Sequence, residues 1–211
     1  SRTAWPAARA RLSRLHRWLD TLSTRWVTAK YIRGGRVPWS TGYMQYRAQY
    51  ISSVLSDADL LDKFRGEKPL PPGYGVGLDE RCVEYPWVIS RLASEPGCYL
   101  DAGSALNHAY VLNHPKFSNK HLYILTLAPE HQSFWQRGIS YLYEDLRHIS
   151  VRDQFYDAII SISTLEHVGF DNSLFITDGV AQRATCQGDF RIALRELWRA
   201  LKPGGQLLIT V

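Results

Sequence analysis

Three short stretches of this 211-residue chain carry side chains that could do chemistry together. The first is Leu100-Asp101-Ala102-Gly103-Ser104-Ala105-Leu106-Asn107-His108. An acid followed by small residues lets a loop's backbone come close to a bound ligand that a larger side chain would hold away. The second, Tyr143-Glu144-Asp145-Leu146, places an acid just after a short apolar run. The third is Ser163-Thr164-Leu165-Glu166-His167-Val168-Gly169. His167 is the candidate base for taking a proton from a hydroxyl acceptor, a task suited to an imidazole near neutral pH, and Glu166 would orient it or the acceptor. The competing reading is that Glu166 and His167 cap the next helix or bond backbone groups. The remaining histidines, His16, His108, His114, His121, His131 and His148, show no i, i+4 ligand pairing on one predicted helix, although His108 lies close to the first loop. Cys82, Cys98 and Cys186 are widely spaced with no CxxC pair, which predicts reduced thiols and no zinc site.

These stretches need a scaffold that brings their ends together, and the sequence from residue 97 onward predicts one. Short apolar runs at 98–101, 121–127, 139–143, 156–163 and 206–211 read as strands, with helices expected at 105–113, 130–137 and 189–201. Such alternation makes an α/β, doubly wound, mostly parallel sheet whose ligands sit at the strand C-termini. All three stretches lie at such ends. Lys202-Pro203-Gly204-Gly205 is predicted to turn sharply into the fifth strand. The connection at 169–188 is long; Asp171, Asn172, Asp178 and Arg183 there could bond a polar acceptor, or the segment is a surface loop. Upstream, 79–93 reads as a helix with Val83, Trp87 and Leu92 facing inward.

Taken in order, segments 98–108, 156–169 and 201–211 resemble the first motif, the fourth-strand motif and the "LKPGG" turn with fifth strand of the class I S-adenosylmethionine-dependent methyltransferase superfamily. The likeness covers residues 97–211 and implies a Rossmann-like sheet of order 3-2-1-4-5. It also implies that Asp101, Gly103, Ser104, Ala105 and Asn107 form the cofactor loop, that Asp145 and Leu146 meet the adenine, and that Thr164 and Leu165 flank the methionine portion. Glu84 and Tyr85 would be lid contacts. Two departures stand out. Ala105 and Asn107 replace the superfamily's second and third motif glycines, and an ordinary φ is expected at 105, because a left-handed alanine costs roughly 1–2 kcal/mol. The acid that usually ends the second strand and holds the ribose is missing: Leu127 stands there, and Glu130 is the nearest carboxylate, so the ribose is held by Glu130 or in another way. Glu166-His167 also resembles the pair in ubiquinone-pathway O-methyltransferases, where a further Glu completes a metal site; Ser163 stands at that position, and no metal is expected. The segments PWSTGY (38–43) and GLDERCVEYPW (77–87) are similar to bacterial methyltransferases of surface-polysaccharide and glycan clusters. That likeness implies O-methylation of a sugar or glycan, a small-molecule or glycan acceptor, and a role in polysaccharide biosynthesis. A degenerate scaffold without cofactor is the alternative.

The charge is divided. Residues 1–50 carry ten Lys/Arg and one acid, a net +9, whereas residues 51–211 sum to −4. The basicity is therefore outside the expected catalytic domain, which argues against nucleic acid as a partner. Trp5, Ala8, Leu12, Leu15, Leu19, Leu22 and Trp26 form one apolar stripe flanked by arginines, predicting a basic amphipathic helix over 1–33. It packs on its own domain, forms a coiled coil, or lies on an anionic membrane through residues 5–26. Residues 34–78 read as a helical, aromatic connecting region and loop, and 79–211 as the methyltransferase domain. With neither a signal peptide's h-region nor a long apolar run, the expectation is a cytoplasmic protein, in one reading peripheral to the inner face of the membrane. The superfamily's domain has two more strands, 6 and 7, after the fifth; they are missing from this chain, so the natural protein is expected to continue beyond Val211.

Overall fold

A computed structural model describes residues 23–170 and 188–211. The expected stripe before residue 23, the polar residues at 171–183 and Cys186 lie outside the described residues. The helical elements are α1 (residues 23–33 as described), α2 (Tyr43–Leu55), α3 (Ala58–Arg65), α4 (Arg81–Arg91), α5 (Ala109–Leu112) and α6 (Phe190–Ala200). The strands are β1 (Gly97–Ala102), β2 (Lys120–Thr126), β3 (Ser140–Tyr143), β4 (Tyr156–Ile162) and β5 (Leu201–Thr210). They form one sheet of order β3-β2-β1-β4-β5, and every pairing is parallel. This is the doubly wound, Rossmann-like arrangement expected from the sequence.

The central strands are mostly apolar because both faces of a parallel sheet are covered, with Asp101 and Ser161 as buried polar exceptions. Successive side chains point to opposite faces, and the two cores sort accordingly. Tyr99, Ile124 and Ile160 join Ile51, Leu55, Tyr85, Val88 and Ile89 under α2 and α4. Their neighbours Leu100, Leu125 and Ile159 join Ala193, Leu197 and Ala200 of α6 on the other side. The segment before residue 79 thus shares a core with the sheet.

Helix α4 corrects one expectation. Val83 is 43% exposed, and the inward stripe is Cys82, Tyr85, Val88, Ile89 and Leu92. Pro86 within this helix has no N–H for the carbonyl of Cys82. The hydroxyl of Tyr74 takes that place, donating to the Cys82 oxygen at 2.5 Å.

Two expected helices are reduced. Only Ala109–Leu112 of 105–113 is α-helical, because Gly103 and Ser104 turn the chain with positive φ before it can wind. At 130–137 only the 3-10 turn Trp135–Arg137 forms. Side chains claim the backbone there: Asn107 Nδ2 donates to the Gln132 carbonyl and the Phe134 N–H donates to Tyr141 Oη. Lys202–Gly205, expected as a turn ahead of the strand, sits inside β5 as an irregularity between the Tyr156–Leu201 and Ala158–Gln206 pairs. A Cβ at Gly205 would lie 2.9 Å from the Lys202 carbonyl oxygen, a backbone atom that cannot swing aside, so the bulge needs glycine there. Cys82 and Cys98 are free thiols. Among the described residues no helix is long and apolar enough to cross a membrane.

Candidate active site

The ends of β1, β2, β3 and β4 surround one cavity of about 410 Å3. Asp101, on β1, is fully buried, and its Oδ2 accepts the Leu106 N–H at 2.8 Å. Burial raises its pKa to about 7, a rise that backbone donors at 105 and 106 only partly offset. Among the described residues, its Oδ1 and the Ser104 hydroxyl have no hydrogen-bond partner. The chain then crosses the tip of β4. Gly103 has φ +117°, and a Cβ on it would sit 2.1 Å from Thr164 Oγ1, so this crossing requires glycine. The Gly103 N–H donates to the Leu125 carbonyl at 2.9 Å, tying the loop to the end of β2. Neither Ala105 nor Asn107 has a positive φ; the left-handed residues are Gly103 and Ser104.

Side chains brace the rest of the loop. Tyr85 Oη donates to the Ala105 carbonyl at 2.7 Å, and Asn107 Oδ1 accepts from Tyr141 Oη at 2.9 Å. Glu84 is buried and accepts from the Ser163 hydroxyl at 2.8 Å, from Thr210 Oγ1 and from Arg81. These two residues, expected as lid contacts, stand behind the loop and the tips of β4 and β5.

Of the residues singled out in the sequence, Gly103, Glu130, Asp145, Leu146, Thr164 and His167 line the cavity. Asp101, Ser104, Ala105 and Asn107 form the loop beside it without lining it, Leu165 is buried in the α6-side core, and Glu166 is exposed off the wall. Asp145 is gripped by Arg147, whose Nη2 and Nε lie 2.6 and 3.1 Å from its Oδ2, while Arg147 Nη1 reaches Asp189 Oδ2 at 2.6 Å. The wall also holds residues that the sequence did not single out as a site, among them Arg81 and His131, and it holds Glu144 and Ser163 from the second and third stretches. A weak signal for Arg81 existed in its i, i+3 spacing from Glu84. Among the described residues, no cluster of three or more His, Cys, Asp or Glu side chains could hold a metal ion.

Comparison with known proteins follows the same outline. The family described as "Methyltransferase domain" matches residues 102–209. Among solved structures, the chain is similar to an S-adenosyl-L-methionine-dependent methyltransferase of Methanococcus maripaludis, with 20% identity, TM-score 0.36, and 59% of this chain and 52% of that one covered. A methyltransferase of Bacillus halodurans shows 16% identity, TM-score 0.36, and coverage of 56% and 46%. The 1,6-didemethyltoxoflavin-N1-methyltransferase of Burkholderia thailandensis, solved with S-adenosylhomocysteine, shows 11% identity, TM-score 0.40, and coverage of 74% and 61%. The chain spans about half the length of the first solved structures it matches. No curated protein matches it. Family match and strand order together show that the chain belongs to the methyltransferase domain family, within the class I S-adenosylmethionine-dependent superfamily.

Proposed function

We propose that this chain binds S-adenosylmethionine in the cavity at the strand ends and moves its methyl group to a hydroxyl, the acceptor being a sugar or glycan. The observation that carries the reading is the meeting of Gly103, Glu130, Asp145 and Thr164, from four strand ends, on one cavity wall. Its volume is within the roughly 300–1,000 Å3 of small-molecule sites.

When bound, the cofactor supplies an electrophilic methyl on a sulfonium, so the protein's task is mainly to position the reacting atoms in line. Leu125 and Leu146 give apolar wall for the adenine, and Glu130 is the acceptor for the ribose hydroxyls in place of the missing strand-end acid. Thr164 holds the β4 exit through its bond to the Ile162 carbonyl at 2.9 Å. His167, on the cavity wall, takes the acceptor's proton, and Glu166 is one residue away for the acceptor itself. The sugar rests on the likeness of segments 38–43 and 77–87. Calorimetric titration of the 211-residue chain with S-adenosylhomocysteine should give saturable heat; none at millimolar ligand sinks the reading. Product analysis showing methyl on nitrogen would remove the hydroxyl acceptor while leaving the cofactor.

A second reading, a catalytically inert scaffold docked on an anionic membrane through the N-terminal helix, draws on the surface of α1 and the turn after it. Trp26 and Trp39 are 65% and 71% exposed. Arg25, Lys30 and Arg33 beside them are exposed, and residues 21–56 contain no acid. Exposed indoles with cations suit an interfacial helix. Flotation with phosphatidylglycerol vesicles, lost in Trp26→Ser with Trp39→Ser, supports docking; equal flotation with the double variant removes it. Self-association by sedimentation would instead favour a coiled coil.

A further inference from the structure

The cavity is electrically lopsided. Among the described residues, and besides the histidines His131 and His167, its wall carries one cationic side chain, Arg81, which is bonded to Ser163 beside the packed pair Gly103 and Thr164. Elsewhere the wall holds Glu130, Glu144, Asp145 and the apolar side chains of the β2 and β3 ends. Arg81 is held firmly. Its Nη1 donates to Ser163 Oγ at 2.7 Å and to Glu84, and the side chain is 19% exposed. Glu84 is itself fixed from the tips of β4 and β5 by Ser163 and Thr210. Every one of these contacts uses Nη1, leaving Nη2 and Nε with no hydrogen bond to the described residues. A mostly buried guanidinium with two N–H-bearing nitrogens to spare is a fork for a carboxylate.

Building on the cofactor reading above, we infer that Arg81 clamps the α-carboxylate of the bound S-adenosyl ligand, with Glu84 as the positioning residue that aims it. S-adenosylmethionine has one carboxylate, at the end opposite its adenosine. With that carboxylate on Arg81, the adenosine points toward Glu130 and Leu146, where acceptors and apolar surface await the ribose and the base. The clamp is assembled from three distant parts of the chain: α4, the β4 tip at Ser163 and the β5 end at Thr210. It therefore depends on β5 closing against β4.

The test compares two ligands on the same 211-residue chain: S-adenosylhomocysteine, which has the amino-acid head, and 5′-methylthioadenosine, which lacks it. Titration calorimetry is run on the wild type, Arg81→Gln, Arg81→Lys and Glu84→Gln, with circular dichroism melting to check folding. Arg81→Gln should weaken S-adenosylhomocysteine roughly tenfold to hundredfold and leave 5′-methylthioadenosine unchanged. Arg81→Lys should recover part of the loss, and Glu84→Gln should show a smaller loss, again confined to S-adenosylhomocysteine. Equal weakening of both ligands, or of neither, overturns the clamp while leaving cofactor binding intact. Should Arg81→Gln fail to fold, the Arg81→Lys and Glu84→Gln pair decides by the same ligand contrast. A wild-type chain that binds neither ligand overturns the cofactor reading and the clamp with it.

Discussion

Asp101 makes the chain's stability depend on pH in a way that one substitution isolates. Its carboxyl is fully buried, and burial raises its pKa from the ordinary 3.8 to about 7. An unfolded chain releases this proton near 3.8 and the folded chain holds it to about 7, so the folded state binds more protons throughout the interval. Raising the pH therefore destabilises it. The contribution is fully present below about 3.8 and is lost as pH climbs through about 7. Each pKa step is worth about 1.4 kcal/mol, so the whole loss is about 4 kcal/mol, more than half of which accrues between about pH 5 and pH 8. Asp101→Asn keeps the shape and an oxygen for the Leu106 N–H but cannot ionise. Urea unfolding of both proteins at the two pH values should show the variant gaining stability relative to wild type as pH rises, since every other titrating group is common to both. S-adenosylhomocysteine binding should weaken in the same variant, which would mark the buried acid as kept for function at a cost in stability. A wild-type-minus-variant difference constant within about 0.5 kcal/mol across the two pH values would refute the reasoning.

Gly103→Ala should destabilise the fold by about 2 to 6 kcal/mol, combining the strain of φ +117° with overpacking of a Cβ 2.1 Å from Thr164 Oγ1. Urea unfolding measures it, Thr164→Gly should relieve the packing part, and a cost below about 1 kcal/mol would mean that the loop can move away. Glu130→Ala should weaken S-adenosylhomocysteine and 5′-methylthioadenosine alike, by roughly tenfold, since both contain ribose; an effect on only one of them argues against ribose contact. His167→Ala should lower kcat roughly 10²- to 10⁴-fold and leave the cofactor's Kd unchanged once an acceptor is in hand, and turnover within about threefold of wild type would remove His167 as the base.

The strands were legible because each is a largely apolar run of the kind a covered parallel sheet demands, and their spatial order was implied by the resemblance to the methyltransferase superfamily. Short local features were harder. At 105–113 and 130–137 the composition suits helices, but Gly103, Ser104 and the side chains of Asn107 and Tyr141 bind the backbone first. Helical phase was misjudged at Val83 because Cys82 and Tyr85, not the larger Trp87, define the buried stripe. Glycine requirements were legible only as a class: the demand at Gly103 is set by Thr164, on another strand.

The cavity shows why some of its residues stayed hidden. Gly103, Asp145 and Thr164 sit at strand ends, where topology alone directs them to one place. Arg81 precedes its strand by an entire helix, and its setting is defined by Ser163, 82 positions away, and through Glu84 by Thr210, another 126 positions from that glutamate. Asp145 shows the reverse case: its presence was legible, but its carboxylate is committed to Arg147, which is itself anchored on Asp189 at the start of α6. An acid already neutralised by a guanidinium is a weak acceptor for a further ligand, so under the cofactor reading proposed above the polar contacts of an adenine at this strand end would fall to backbone groups around Asp145 and Leu146 more than to the side chain.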